Sequence, residues 1–287
     1  MLLALGKQLS WMQRDGPEPS SLADMEFQIF SQFGDDGIIE WLVQNNPSIP
    51  KSFIEFGVED YSESNTRFLM MNRNWSGLVL DGSEDNIQSV KEAGYSWRHH
   101  LSAKAAFVTA ENINEHLECC FLEREVGILH IDIDGNDYWV WNAINCVDPS
   151  IVIVEYNANF GSEAAVSVPY RPDFVRGMAH YSNLYFGASL AAFRYLATQR
   201  GLVFIGCNSA GNNAYFLKSS LCTGALARLA DNACFIDSVF REGRLETGGL
   251  SLLGGKERRR LIAGLPVVNV KTLEDTVLGE MSDNESV

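Results

Sequence analysis

The feature of this sequence that most restricts its fold is an alternation. Short apolar runs rich in β-branched residues recur between longer amphipathic stretches, the pattern of parallel strands joined by crossover helices. The runs are Ser52–Val58, Gly77–Asp81, Lys104–Val108, Ile128–Asp134 and Ile151–Tyr156; helices are predicted near Ser64–Arg73, Glu84–Ala93, Glu111–Cys119 and Tyr138–Asn145. Five such βα repeats within about a hundred residues read as a doubly wound sheet. Farther along, GASLAAFRYLATQRG keeps helical spacing up to a stop at Gly201, and LVFIGCN and NAYFLK follow with only SAGN between them. That connection is too short for a crossover helix, so the last pair is antiparallel and the expected sheet has seven strands.

Ahead of the sheet, MEFQIFSQFGDDGIIEWLVQNNPSIP predicts a helix that starts near Asp35, ends before Pro47 and packs on the sheet edge. Beyond Ser220, helices are expected near Thr223–Ala230 and Lys256–Ala263, and EDTVLGEMSDNESV reads as a mobile acidic tail. The chain thus divides into an N-terminal helical segment over 1–50, a central α/β domain over 51–220 and a C-terminal helical appendage over 221–287.

Charge and cysteine usage exclude several function classes. The 287 residues hold 22 Lys and Arg against 37 Asp and Glu, a net charge of −15 that repels polyanions, so nucleic acid is not an expected partner. No apolar run reaches the ~18 residues of a membrane span, and the opening stretch breaks at Lys7, too early for a signal peptide; a soluble, cytoplasmic protein without a membrane partner is expected. Cys119, Cys120, Cys146, Cys207, Cys222 and Cys234 form no CxxC pair and read as reduced core thiols, while the five histidines show no HExxH spacing, which disfavours zinc.

Ligands of open parallel sheets bind beyond the carboxyl ends of the strands, and here those ends are acidic. The first strand carries Glu55 inside an apolar run and Gly57 where backbone would approach a ligand; an ordinary turn capped by Ser62 or Ser64 is the plainer alternative. Asp81 tips the second strand, where a carboxylate can accept both hydroxyls of a ribose. With no GxGxxG after the first strand, a nucleoside without phosphates fits better than a dinucleotide. On the fourth strand Asp132 and Asp134 share a face and would repel each other unless a cation lies between them, whereas Asp137 reads as a helix cap. Glu155 and Asn157 end the fifth strand. Asp134, Glu155 and Asn157 are oxygen donors suited to Mg²⁺, or else they hold substrate hydroxyls directly.

The ordered set IEFGVEDYSESNTRFL, LVLDGS, LHIDIDGNDYWVW and IVIVEYN, followed by GASL and NSAGNNAYFL, resembles the FkbM-type branch of class I S-adenosylmethionine-dependent methyltransferases over most of Gln28–Lys218. SQFGDDGIIEWL is similar to the SQ-x-GEDG stretch that precedes the first strand in that family. The resemblance implies a Rossmann-like seven-stranded sheet, mostly parallel with an antiparallel final strand and helices on both faces. It implies S-adenosylmethionine as cofactor, bound by Glu55, Gly57, Asn65, Asp81, Ser83 and Asp132. The family's glycine-rich loop is reduced here to Gly57, with Glu59, Asp60 and Ser62 in its place.

Related sugar O-methyltransferases imply Mg²⁺ at Asp134, Glu155 and Asn157, and such an ion would make an acceptor hydroxyl nucleophilic. His180, in the long loop after the fifth strand, is the alternative general base, so the catalytic candidates are Asp134, Glu155 and His180. Tyr156, Tyr185, Asn208 and Asn212 are expected to line the pocket. The expected activity is O-methylation of a hydroxylated small molecule such as a glycosyl or natural-product acceptor. A catalytically silent binding protein and a nicotinamide-dependent oxidoreductase are the alternatives, and a homo-oligomeric assembly is left open.

Overall fold

A computed structural model of the chain describes residues 1–118 and 124–279. Its main sheet is built from β1 (Ser52–Phe56), β2 (Ser76–Asp81), β3 (Leu101–Ala105), β4 (Glu125–Ile131), β5 (Asp148–Glu155), β7 (Leu202–Cys207) and β8 (Asn213–Lys218). The order is β3-β2-β1-β4-β5-β8-β7, with β8 antiparallel to both its neighbours and the other pairings parallel. This is the expected fold class. A second, antiparallel sheet joins β6 (Val166–Ser167), β9 (Pro266–Asn269) and β10 (Glu274–Val277) in the order β10-β9-β6.

The two faces follow from strand alternation. Ile54, Phe56, Leu78, Leu80, Leu129, Ile131, Val152 and Val154 are buried on one face, with Trp141 of α6 (Asp137–Ala143) and Phe193 of α8 (Leu190–Gln199) in the same core. Phe53, Val79, Ile128, Ile151 and Ile153 pack on the other with Ile38, Ile39 and Leu42 of α2 (Asp35–Asn45), Leu69 of α3 (Arg67–Arg73) and Leu229 of α9 (Ala225–Asn232). The helix predicted from Asp35 therefore covers a sheet face, not the edge. The outermost helix on this side is α1 (Leu2–Arg14), which packs on α2 and α3.

Several sequence expectations are corrected. The third strand lies three residues earlier than predicted, because its pairing with β2 runs from Leu101 opposite Gly77 to Ala105 opposite Asp81. The fourth ends at Ile131, so Asp132 and Asp134 belong to the following loop, and Asp134 has left-handed backbone (φ 56°). Glu274–Val277, expected within a mobile tail, is β10; residues 280–287 lie outside the described residues. Nor is the C-terminal segment a purely helical appendage, since β9 pairs with β6 in the loop after β5. Cys207 is a buried thiol but Cys234 is exposed, and Cys119 and Cys120 lie outside the described residues. Among the described residues no helix is long and apolar enough to cross a membrane.

Candidate functional site

A cavity of about 700 Å³ opens at the carboxyl ends of β1, β2, β4 and β5. Glu55 and His130 are direct neighbours in the β1–β4 register and turn to the same face. Glu55 Oε1 accepts from His130 Nδ1 (2.9 Å) and the Asn65 amide (2.9 Å). Its Oε2 accepts from Ser64 Oγ (2.6 Å), Thr66 Oγ1 (2.5 Å) and the Thr66 amide (3.2 Å). Burial by itself raises the Glu55 pKa, but the hydrogen bond and charge of His130, with the hydrogen bonds of Ser64 and Thr66, outweigh it and hold the carboxyl below its ordinary value. Burial likewise pulls His130 down, and Glu55 pushes it above its ordinary value. Both lie in the cavity wall, yet Glu55 has five protein donors: it fixes the turn that leads into α3 and positions Asn65 at the cavity.

Gly57 is fixed by close approach. A Cβ there would lie 1.6 Å from the Asp132 carbonyl oxygen, and its φ is +72°. The loop it opens keeps left-handed backbone at Glu59 (φ 47°) and Tyr61 (φ 66°), so it takes a glycine-like path with one glycine.

Asp81 sits at the tip of β2. Its Oδ1 accepts from the Ser83 amide (2.8 Å) and Asn86 Nδ2 (3.0 Å), and its Oδ2 from the Glu59 amide (2.8 Å). A carboxylate offers about four acceptor positions, so Oδ2 keeps capacity toward the cavity that Asp81 lines. Ser83 faces elsewhere: its hydroxyl caps α4 (Glu84–Glu92) by accepting from the Asn86 amide (3.2 Å).

Beyond β4 and β5, one carboxylate oxygen each of Asp132, Asp134 and Glu155 lie within 4.8 Å of one another. Burial, then the charge of Asp134, pushes Asp132 up to about 7, and burial, then Asp132, raises Glu155 well above the ordinary glutamate range. Glu155 Oε2 is buried with no hydrogen-bond partner. Such an atom is costly to leave bare, and the donor set is all oxygen, so the cluster fits a hard divalent cation. Arg176 already donates to Asp134 Oδ1 (2.6 Å), and its other arm pairs with Glu242. Asp137 opens α6 by accepting from the Ile133 and Gly135 amides (2.9 Å each) and so shapes the acidic loop.

Asn157, expected as a third metal ligand, is placed otherwise. Its Nδ2 donates to the Leu184 and Phe186 carbonyls and its Oδ1 accepts from Asn159, so it braces the loop after β5 while Asp132 joins the cluster. His180 does not line the cavity. Its Nδ1 is 2.8 Å from Ser182 Oγ, and burial lowers its pKa. Tyr156 and Tyr185 donate to the Ile236 and Pro266 carbonyls away from the cavity, and Asn208 is buried behind it; Asn212 does line it.

Sequence reading missed residues that only the fold brings in. Asp35, at the start of α2, is buried at the cavity and accepts from Asn213 Nδ2 (3.1 Å) and the Tyr215 hydroxyl. Phe33 before α2 stacks on Phe240 across the mouth, with ring centroids 5.5 Å apart. Phe240 and Glu242 lie on a strap anchored by Arg258 of α10 (Gly255–Ile262), whose guanidinium donates to the Phe240 carbonyl (2.7 Å) and the Ser238 carbonyl (2.6 Å). Gly211 admits the strap, since a Cβ there would lie 2.4 Å from the Asp237 carbonyl oxygen. The doubled acid of SQFGDDG was the available signal for Asp35; Arg176, Phe240 and Glu242 had none.

No family model matches the chain, and no curated protein matches it. Among solved structures it is similar to an O-methyltransferase from Bacillus cereus in complex with SAH, at 12% identity and a TM-score of 0.42, covering 75% of this chain and 89% of that one. It is also similar to the N-terminal domain of EvdMO1 with SAH bound, at 10% identity and a TM-score of 0.42, covering 74% and 94%. The plantazolicin methyltransferase BamL in complex with SAH gives 15% identity and a TM-score of 0.41, covering 78% of each chain. Likeness at this distance carries no functional conclusion, which has to come from the site.

Proposed function

We propose that this protein is an S-adenosylmethionine-dependent methyltransferase of the FkbM type, acting in the cytoplasm on a hydroxyl of a polar small molecule such as a glycosyl or natural-product acceptor. One observation carries the reading. The cavity's buried side-chain oxygens without a partner, Glu155 Oε2, Asn213 Oδ1 and Asn136 Oδ1, are all acceptors, and nine carboxylates (Asp35, Glu55, Glu59, Glu63, Asp81, Asp132, Asp134, Glu155 and Glu242) line it against Arg176 and His130. Such a cavity favours a cationic, donor-rich ligand and repels a pyrophosphate. A nucleoside sulfonium meets both demands, and NAD does not.

In this reading Asp81 accepts from the ribose hydroxyls, Asn65 and Gly57 border the cofactor, and Asp132 stands between cofactor and acceptor. S-adenosylmethionine would supply an electrophilic methyl group, whose C–S bond electrons would stay with sulfur as the acceptor oxygen takes the methyl, and a carboxylate of the acidic cluster would take the hydroxyl proton. Most of the rate then comes from positioning. Mg²⁺, held by Asp132, Asp134 and Glu155, would supply acidification of the acceptor hydroxyl.

Calorimetric titration with S-adenosylmethionine and S-adenosylhomocysteine, each with and without Mg²⁺ and beside an NAD control, tests the proposal. Micromolar binding of both, with NAD silent, is expected. No heat with either, or binding of NAD alone, overturns it.

A further inference from the structure

Part of the inner face of α1 is small or polar, beside the half-buried Leu3 and Leu9, and its outer face mixes apolar with polar side chains. Toward the protein it presents Gly6, Ser10 and Gln13. A Cβ on Gly6 would lie 2.4 Å from the Phe68 ring, Ser10 Oγ donates to Glu40 (2.5 Å), and Gln13 Nε2 donates to the Met25 and Gly37 carbonyls. Toward solvent it presents Leu2, Leu5, Trp11 and Met12, with Trp11 and Met12 each 63% exposed. Helical spacing sets Leu2, Leu5 and Met12 on one flank of the exposed face and Trp11, with Lys7 and Arg14, on the other. Grouped exposed apolar side chains of this size mark interaction surfaces.

Along the Trp11 flank runs a groove of about 580 Å³, lined by Lys7, Trp11 and Arg14 of α1, Glu40 of α2, Arg73 of α3, and Lys51 and Trp75 just before β1 and β2. It lies at the amino ends of those strands, opposite the acidic cavity. Its one carboxylate, Glu40, is fully buried and already bound by Arg73 through Nε and Nη2 (2.9 and 2.8 Å), so that pair is neutral. What remains is Lys7, Arg14 and Lys51. Neither lysine has an ion-pair partner among the described residues, and Arg14 pairs with its exposed neighbour Asp15. On a chain of net charge −15 this is a local positive field flanked by apolar surface.

We propose that the groove between α1, α2 and the start of β1 is a docking site for a short acidic segment of a partner protein, its carboxylates on Lys7, Arg14 and Lys51 and an apolar side chain against Trp11. Charge decides among occupants. A second copy pairing two-fold through α1 would set its own Lys7 and Arg14 against these, and an anionic bilayer would be repelled by the rest of the molecule. The segment would leave the acidic cavity open.

The test uses the full-length protein and a fluorescein-labelled peptide of alternating Glu–Glu and Leu–Leu pairs, about fourteen residues long, read by anisotropy. Micromolar binding is expected, weakened at least about tenfold by the exposed double substitution Lys7→Glu/Arg14→Glu and reduced by raised salt. The same peptide with Lys in place of Glu is expected not to bind. Failure of the acidic peptide to bind, or equal binding of both peptides, overturns the proposal. So does a wild-type dimer in sedimentation that Leu5→Glu dissociates, or stronger association with vesicles of one part phosphatidylglycerol to three of phosphatidylcholine. Circular dichroism of the variants confirms that they fold.

Discussion

Two buried carboxylates at the same end of the sheet, Glu55 and Glu155, have opposite surroundings. Glu55 accepts five hydrogen bonds and faces a histidine that it holds above its ordinary pKa. Glu155 has one oxygen bare, with Asp132 and Asp134 pressing on it. Removing one partner of a buried pair costs more than the pair contributed, whereas removing a bare buried charge relieves repulsion. The difference separates an acid whose acceptors the protein fills from one it leaves with an open acceptor.

The largest effect should come from breaking the satisfied acid. Glu55→Gln is expected to lower stability by about 3 kcal/mol or more, measured by denaturant unfolding. The sign with pH follows from the two shifts. Glu55, depressed, stabilises above the ordinary glutamate value of 4.5 and loses this as pH falls through its native value. His130, raised, stabilises below the ordinary histidine value of 6.5 and loses this as pH rises through its native value. The gap between wild type and variant should therefore be widest between those values; a gap that grows at alkaline pH would contradict the pair.

Next in size, Asp81→Ala is expected to weaken S-adenosylhomocysteine binding by about 2 kcal/mol in calorimetry, through loss of charge-assisted hydrogen bonds, and unchanged affinity would refute the ribose role. Glu155→Gln sharpens the comparison from the other side. It should raise stability by ~1 kcal/mol while abolishing any Mg²⁺ effect on the titration, and a loss of stability would mean that the bare oxygen has a structural partner. The smallest change is Ser83→Ala, which should cost ~0.5–1 kcal/mol as a lost helix cap and leave cofactor affinity within about twofold.

Much of this contrast was legible before any coordinates. An acid inside the apolar run of the first strand and acids after the second, fourth and fifth were conspicuous because burying a charge is costly unless something compensates. What compensates each was not legible. His130 neighbours Glu55 through strand register, and the sequence points to Asn157 as the third metal ligand and to Asp132 as a cofactor contact, whereas the fourth strand ends at Ile131 and the loop after it brings Asp132 to Asp134 and Glu155. Position along the chain alone points to Ser83 and His180, and one caps a helix while the other bonds Ser182 outside the cavity.

By itself the sequence determined the sheet, its two packed faces and the acidic character of the strand ends, because side-chain periodicity and burial cost are local properties of the chain. Only the tertiary structure decided which acids are satisfied and which are bare, that Phe33 and Phe240 close one mouth from opposite ends of the chain, and that Arg176 bridges Asp134 and Glu242. Those contacts join residues far apart in sequence, and a carboxylate's role depends on the donors that reach it, which no local pattern encodes.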